Sequence, residues 1–156
     1  MRRDEPWLTD KQQQVWRRWV AVNAELPALL HRRLQADSGL SLSDFEVLVQ
    51  LTDTPEGRIR VTDLADAVGW ERSRLSHHLK RMEGRDLVER QECKEDGRGA
   101  YILLTPTGRQ AIERAAPSHA RTVKELIFAP LTAEELNSLA TITDKVLAGL
   151  ALSRKR

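Results

Sequence analysis

Apolar positions recur with helical spacing over most of this chain. Thr9-Asp10-Lys11-Gln12 has the form of a capping box, and Val15, Trp19, Val22, Leu26, Leu29, Leu30 and Leu34 follow at three- and four-residue steps. The spacing predicts one stripe of a long helix over about residues 10–36. Pro27 falls inside that stripe, removes a backbone donor, and is expected to kink the helix near residues 23–27. Ser38-Gly39 is expected to end it. Such a helix is about 40 Å long. A compact globule of this chain length has a radius of gyration of about 15 Å. A second chain is therefore expected to cover the stripe.

Further along, Ser43-Asp44-Phe45-Glu46 reads as a second capping box, opening a short helix through Phe45, Leu48 and Leu51 to about Asp53. Thr54-Pro55-Glu56-Gly57 is a turn, and Arg58-Ile59-Arg60 has the length of an edge strand. Thr62 is placed to cap a helix from Asp63 to Val68, stopped by Gly69, and another helix follows at once from Glu71 or Arg72 to about Arg85. Two short helices around a glycine turn form a helix-turn-helix pattern. Leu87–Cys93 and Ala100–Leu104 read as strands joined by Lys94-Glu95-Asp96-Gly97-Arg98-Gly99, a polar hairpin tip with Asp-Gly at its centre. Thr105-Pro106 opens a helix towards Ala129, which Pro117 is expected to interrupt. Leu131-Thr132-Ala133-Glu134-Glu135 starts a last helix through Leu136, Leu139, Ile142, Val146 and Leu150. The predicted fold class is mainly α with a small β-hairpin wing, a winged helix-turn-helix between long N- and C-terminal helices.

Composition narrows the function classes. The 156 residues are 40% hydrophobic and 31% charged, with one cysteine. Apolar runs are short and the N-terminus is polar, so the expected location is cytoplasmic, without membrane insertion or an export signal. One cysteine cannot form an internal disulfide, which fits a reducing compartment. The net charge of +2 says little, but its distribution says more. Arg72, Arg74, Lys80, Arg81 and Arg85 stand against Glu83 alone in residues 72–85. On a helical wheel Leu75, Leu79 and Met82 share one face within about 40°, and Ser73, Arg74, His77, Lys80 and Arg81 share the opposite one. Guanidiniums on such a face match guanine O6 and N7, and a helix can enter the major groove. At the wing tip, Arg98 between two glycines suits a narrow minor groove. Asp96 would repel phosphate unless paired, and is read as an internal tether for the wing, with Arg90 or an arginine of the basic helix as partner.

These residues resemble the MarR family of winged-helix bacterial transcription regulators. The resemblance runs through Val61–Gly69, the basic helix, Leu87-Val88-Glu89-Arg90 and the stretch Asp96-Gly97-Arg98-Gly99-Ala100-Tyr101-Ile102-Leu103-Leu104-Thr105-Pro106-Thr107-Gly108. Similar chains often carry glycine where this one has Asp86, so the exit from the recognition helix is expected to differ. The resemblance implies a helical dimerisation region, residues 1–36 and 106–156, around a DNA-binding domain of residues 37–105. It further implies an obligate homodimer on a pseudo-palindromic site of double-stranded DNA, and repression relieved by a small ligand. Half-sites would then lie about 34–36 Å apart.

Trp7, Trp16 and Trp19 crowd the first helix of a chain otherwise poor in aromatics. In similar proteins a phenolic or other aromatic ligand sits between the dimer helices and the DNA-binding domain. Trp16, Trp19 and His31 are candidates to line such a cleft; dimer-interface packing is the plainer account of them. His31 and His119 could meet between helices, but four scattered histidines lack metal-ligand spacing, and neither metal nor cofactor is expected. Cys93 suits a small buried hydrophobe beside the wing or, less simply, a redox switch. No nucleophile motif or phosphate loop is present, and Ser76-His77-His78 would point apart on a helix, so an enzyme is not expected. The remaining alternatives are a winged-helix protein-interaction module and a non-specific DNA binder without effector control.

Overall fold

Side-chain caps set the helix boundaries. In the computed structural model, which describes residues 7–92 and 99–153, helix α1 (Asp10–Ser38) opens on the Thr9–Gln12 box. It ends at Gly39, whose φ of 71° is the left-handed cap that glycine adopts without a Cβ clash. The helix is unbroken through Pro27.

Helix α2 (Leu42–Thr52) starts two residues earlier than expected. Its cap is Ser41, with Asp44 rather than Glu46 returning the bond: Ser41 Oγ accepts from the Asp44 N–H and Asp44 Oδ2 from the Ser41 N–H, both at 2.9 Å. Both serines have capping-box spacing. Asp44 prevails because its carboxylate is also held by tertiary partners, described below.

Strand β1 (Arg58–Arg60) runs straight into helix α3 (Val61–Val68). Arg60 is the N-cap residue and its side chain does not cap the helix, so Thr62 lies inside the first turn instead of capping it. Pairing of β1 with the sheet already keeps Arg60 extended, which leaves the helix free to begin at Val61. Helix α4 (Arg72–Glu83) follows, then β2 (Val88–Glu92) and β3 (Ala100–Leu104). The sheet is antiparallel in the order β1-β3-β2, with Ile102 opposite both Ile59 and Arg90. Along β2 only Val88 is buried, which accounts for its weak alternation: the strand's outer end has no layer to pack on.

Helix α5 (Pro106–Val123) continues through Pro117, contrary to expectation. Ile112 and Ala115, just before the proline, are buried and anchor that part of the helix, so the single missing hydrogen bond does not break it. The departure from α-helical geometry comes later, in a π-helical turn at Lys124–Phe128. Helix α6 (Ala133–Ser153) opens on the expected Thr132–Glu135 box, with bonds of 2.8 and 3.2 Å.

The chain divides into two units, one up to Ser118 and one from His119 onward. In the first, α1 contributes Leu34 and α5 Ile112 and Ala115 to a core centred on Leu48, Leu51, Leu64, Leu75, Leu79, Met82 and Ile102. Burial of each such leucine is worth about 1.5–3 kcal/mol. The N-terminal half of α1 is uncovered, with Val15, Trp16, Trp19, Val20 and Val22 all exposed. In the second unit α6 buries nothing, and Leu136, Ile142, Val146 and Leu150 are exposed.

Gly108 is a steric requirement of this packing. A Cβ there would stand 2.0 Å from the Leu87 carbonyl oxygen, which is backbone and cannot turn aside. Gly108→Ala should therefore destabilise the protein by about 1–3 kcal/mol through overpacking, seen as a lowered thermal midpoint; an unchanged midpoint would contradict this packing.

Candidate nucleic-acid interface

The turn between α3 and α4 begins at Gly69, with φ of 67°, and Trp70 N–H donates to the Ala65 carbonyl at 3.0 Å. Leu75, Leu79 and Met82, each at most 1% exposed, seat α4 on the core. That seating decides which face is presented. Ser73, Arg74, His77, Lys80 and Arg81 are all exposed, and the structure brings these five predicted residues together on one surface.

Two of the five are held. The Arg74 guanidinium lies over the Trp70 ring, 4.3 Å from its centroid. Arg81 Nη2 is 3.0 Å from His78 Nδ1. An arginine can only donate, so His78 Nδ1 is the acceptor and the proton of the neutral ring sits on Nε2. Nε2 is 3.0 Å from Asp44 Oδ1 but off the line of its N–H, so the attraction there is mainly electrostatic. Asp44 Oδ2 accepts from Arg85 Nη1 at 2.7 Å, and Arg85 Nη2 donates to the Gly39 carbonyl at 3.1 Å.

Asp44 is 3% exposed. Burial alone would raise its carboxyl pKa; the His78 ring, the Ser41 backbone N–H and the Arg85 guanidinium outweigh that and hold it well below the usual carboxylate range. Glu46, two residues further along α2, is pushed upward by desolvation, which outweighs the opposing pull of Arg74.

Sequence reasoning missed the roles of Asp44, Trp70, His78 and Arg85. For His78 a signal was present: on the wheel it falls about 60° from Leu75, on the buried side. Arg85, counted as part of the basic segment, serves the interior instead.

At the helix exit, Asp86 adopts φ of 57°, the left-handed conformation that glycine takes most easily. Leu87 N–H reaches back to the Met82 carbonyl at 3.0 Å. Asp86 is held by two threonines from the start of α5: Thr105 Oγ1 donates to its carbonyl at 2.6 Å and Thr107 Oγ1 to its carboxylate at 2.7 Å.

On the wing, Arg90 is exposed on β2. Arg98, Asp96 and Cys93 lie outside the described residues, and so does the Asp96–Arg90 tether. On α1, Trp16 and Trp19 are 56% and 41% exposed. His31 Nδ1 accepts from the Leu42 N–H at 3.3 Å, satisfying a free donor at the start of α2. Twelve residues separate Trp19 from His31, about 18 Å of helix, so the three do not converge within one chain. Among the described residues no cluster of three or more His, Cys, Asp or Glu side chains is placed to hold a metal ion, and no helix is long and apolar enough to cross a membrane.

A sequence profile of the MarR family matches residues 38–99. The chain is 38% identical to Sco3205 of Streptomyces coelicolor, a MarR family transcriptional regulator solved in complex with DNA; the match covers 94% of this chain and 92% of that one, with a TM-score of 0.88. It is 36% identical to AbsC, another MarR family regulator of Streptomyces coelicolor, over 94% of this chain and 99% of that one, with a TM-score of 0.87. This chain belongs to the MarR family.

The chain is also similar to the HTH-type transcriptional regulator YdgJ of Bacillus subtilis, 32% identical over 70% of this chain. The match spans 65% of YdgJ, just under two thirds of its length. The fold and the relatives are those of transcriptional regulators and not of enzymes.

The depressed carboxyl of Asp44 has a consequence for acid stability. Its contribution is complete above the unfolded value of 3.8 and is lost as pH falls below that value towards the lower folded one. Asp44→Asn should lose about 3 kcal/mol at pH 7 and show a flatter stability profile between pH 5 and pH 3 than the parent. Denaturant melts across that range measure both; parallel profiles would show that folding does not lower the Asp44 pKa.

Proposed function

We propose that this MarR-family regulator is a homodimeric, sequence-specific reader of double-stranded DNA that represses transcription and is released by a small aromatic or phenolic ligand. The observation that carries the reading is the exposed face of α4, where Ser73, Arg74, His77, Lys80 and Arg81 stand together behind a glycine turn. Bidentate arginine contacts to guanine supply base preference, and Lys80 is suited to phosphate. Arg98 is assigned to the minor groove and Asp96, with Arg90, to tethering the wing. The DNA complex of the 38%-identical Sco3205 supports the same mode of engagement.

Dimerisation is supported by the apolar faces that a single chain leaves bare. Val15, Trp16 and Trp19 on α1 and Ile142, Val146 and Leu150 on α6 are each more than 40% exposed. Two recognition helices then read half-sites of a pseudo-palindrome one turn apart. The effector is placed near Trp16 and Trp19, with His31 reaching that region only from the second subunit. The division into residues 37–105 for DNA and residues 1–36 and 106–156 for dimerisation follows from the same reading, as does action in the cytoplasm.

Selection of random duplexes by the purified protein, with a salt series, tests the reading. The expected result is a pseudo-palindrome with half-sites one helical turn apart. Arg74→Ala or Arg81→Ala should cost about 1–3 kcal/mol on that site and relax preference at one base. Salt-sensitive binding without enrichment would leave a non-specific binder, and no binding at low salt a protein-interaction module. A paired Ile142→Glu and Val146→Glu variant should sediment as a monomer and lose the selected site; a variant that stays dimeric would remove α6 from the interface.

A further inference from the structure

The arginines of the recognition face are not free to wander. Arg74 rests on the face of Trp70, which sits in the turn and packs partly buried against the core. Trp70 meets His78 edge-on, with ring centroids 5.3 Å apart and planes at 87°. His78 turns one nitrogen to Arg81 and the other towards Asp44. The carboxylate therefore holds the ring in the tautomer that leaves Nδ1 as an acceptor. Were the proton on Nδ1, it would face a guanidinium that can only donate, and the contact would be lost.

We propose that Trp70 and His78, anchored by Asp44, are positioning residues for sequence reading: they hold the Arg74 and Arg81 guanidiniums in place before DNA arrives. The inference rests on the DNA-reading function proposed above. Its physical basis is entropy. A long side chain immobilised only on binding weakens the complex by an amount that a side chain already ordered does not lose, about tenfold in affinity at the upper end. A planar guanidinium benefits most, because its bidentate match to guanine needs orientation as well as reach. Phosphate contacts by Lys80 need only charge, so pre-ordering should sharpen base choice while leaving general DNA affinity unchanged.

The test uses the full chain, the duplex site recovered by selection, and a random duplex of equal length. Trp70→Leu keeps an apolar side chain in the turn but removes the ring under Arg74. It should weaken the selected site about five- to tenfold and flatten preference at the base read by Arg74, with binding to the random duplex unchanged. Trp70→Phe should restore most of the loss. In an Arg74→Ala background Trp70→Leu should add nothing.

The second arm keeps the inference open to refutation should Trp70→Leu fail to fold, which thermal melts would report. His78→Leu should relax the base read by Arg81, and His78→Gln, whose amide can accept from Arg81 and donate to Asp44, should restore it. Equal loss on both duplexes, or loss that adds fully to Arg74→Ala, would make Trp70 a structural residue only and overturn the proposal. If Arg74→Ala costs binding to the selected site and Trp70→Leu does not, positioning falls while DNA reading stands. If no site is enriched, or neither Arg74→Ala nor Arg81→Ala affects it, the DNA-reading proposal falls and this one with it.

Discussion

The carboxylate of Asp44 adds directed bonds to the apolar packing of α4 on α2. It closes the N-terminal turn of α2 on Ser41, draws Arg85 in from the end of α4, and faces His78 from the middle of that helix. Arg85 in turn reaches the Gly39 carbonyl at the end of α1, so one guanidinium joins the exit of the recognition helix to the α1–α2 corner. Hydrophobic burial is non-directional, and Leu75, Leu79 and Met82 alone would tolerate some rotation and sliding of α4 on the core. A buried charge with fixed donors does not. Removing Arg85 or His78 leaves the buried carboxylate short of a partner, which makes the arrangement costly to disturb and favours one azimuth and register of α4.

A second constraint acts at the other end of α4. The chain must turn sharply after Glu83 to bring Leu87 and Val88 into the sheet, and the turn needs a left-handed residue. Asp86 takes that conformation, and the hydroxyls of Thr105 and Thr107 offset its cost. Because both threonines belong to the start of α5, where Thr105 also caps the Gly108 N–H, the helix exit, the end of β3 and the start of α5 form one corner. Gly108 lets the two backbones approach closely enough for those bonds to form. The Asp86 side chain thus does by hydrogen bonding what glycine does by lacking a Cβ.

Much of this was legible beforehand because it rests on local rules. Capping boxes at Thr9 and Thr132, the glycine stops at Gly39 and Gly69, and the strand at Ala100–Leu104 all follow from neighbours within a few residues. The misplaced features share another cause. Ser41 displaced Ser43 as a cap because of partners some forty residues away, and Thr62 lost its capping role to strand pairing with β3. Pro117 failed to interrupt α5 because the residues before it are anchored in the core. Most telling is His78. Its place on the wheel was readable, but its meaning came from Asp44 and Trp70, which no sequence spacing links to it. The basic face was visible in the sequence, whereas the means of orienting it was not.

Charge on the recognition helix is accordingly divided between uses. Of the basic residues in α4 and its exit, Arg85 is committed to Asp44, while Arg74 and Arg81 are engaged by Trp70 and His78 without being buried. That leaves Arg72 and Lys80 as the exposed cations of the segment available to phosphate alone. Non-specific affinity grows with the number of phosphates neutralised, and specific affinity with the quality of a few oriented contacts. A reader with few free cations and two ordered guanidiniums has a low background against which those contacts can count. The ratio between specific and non-specific binding, which governs occupancy of one site among very many, then rises without requiring high absolute affinity.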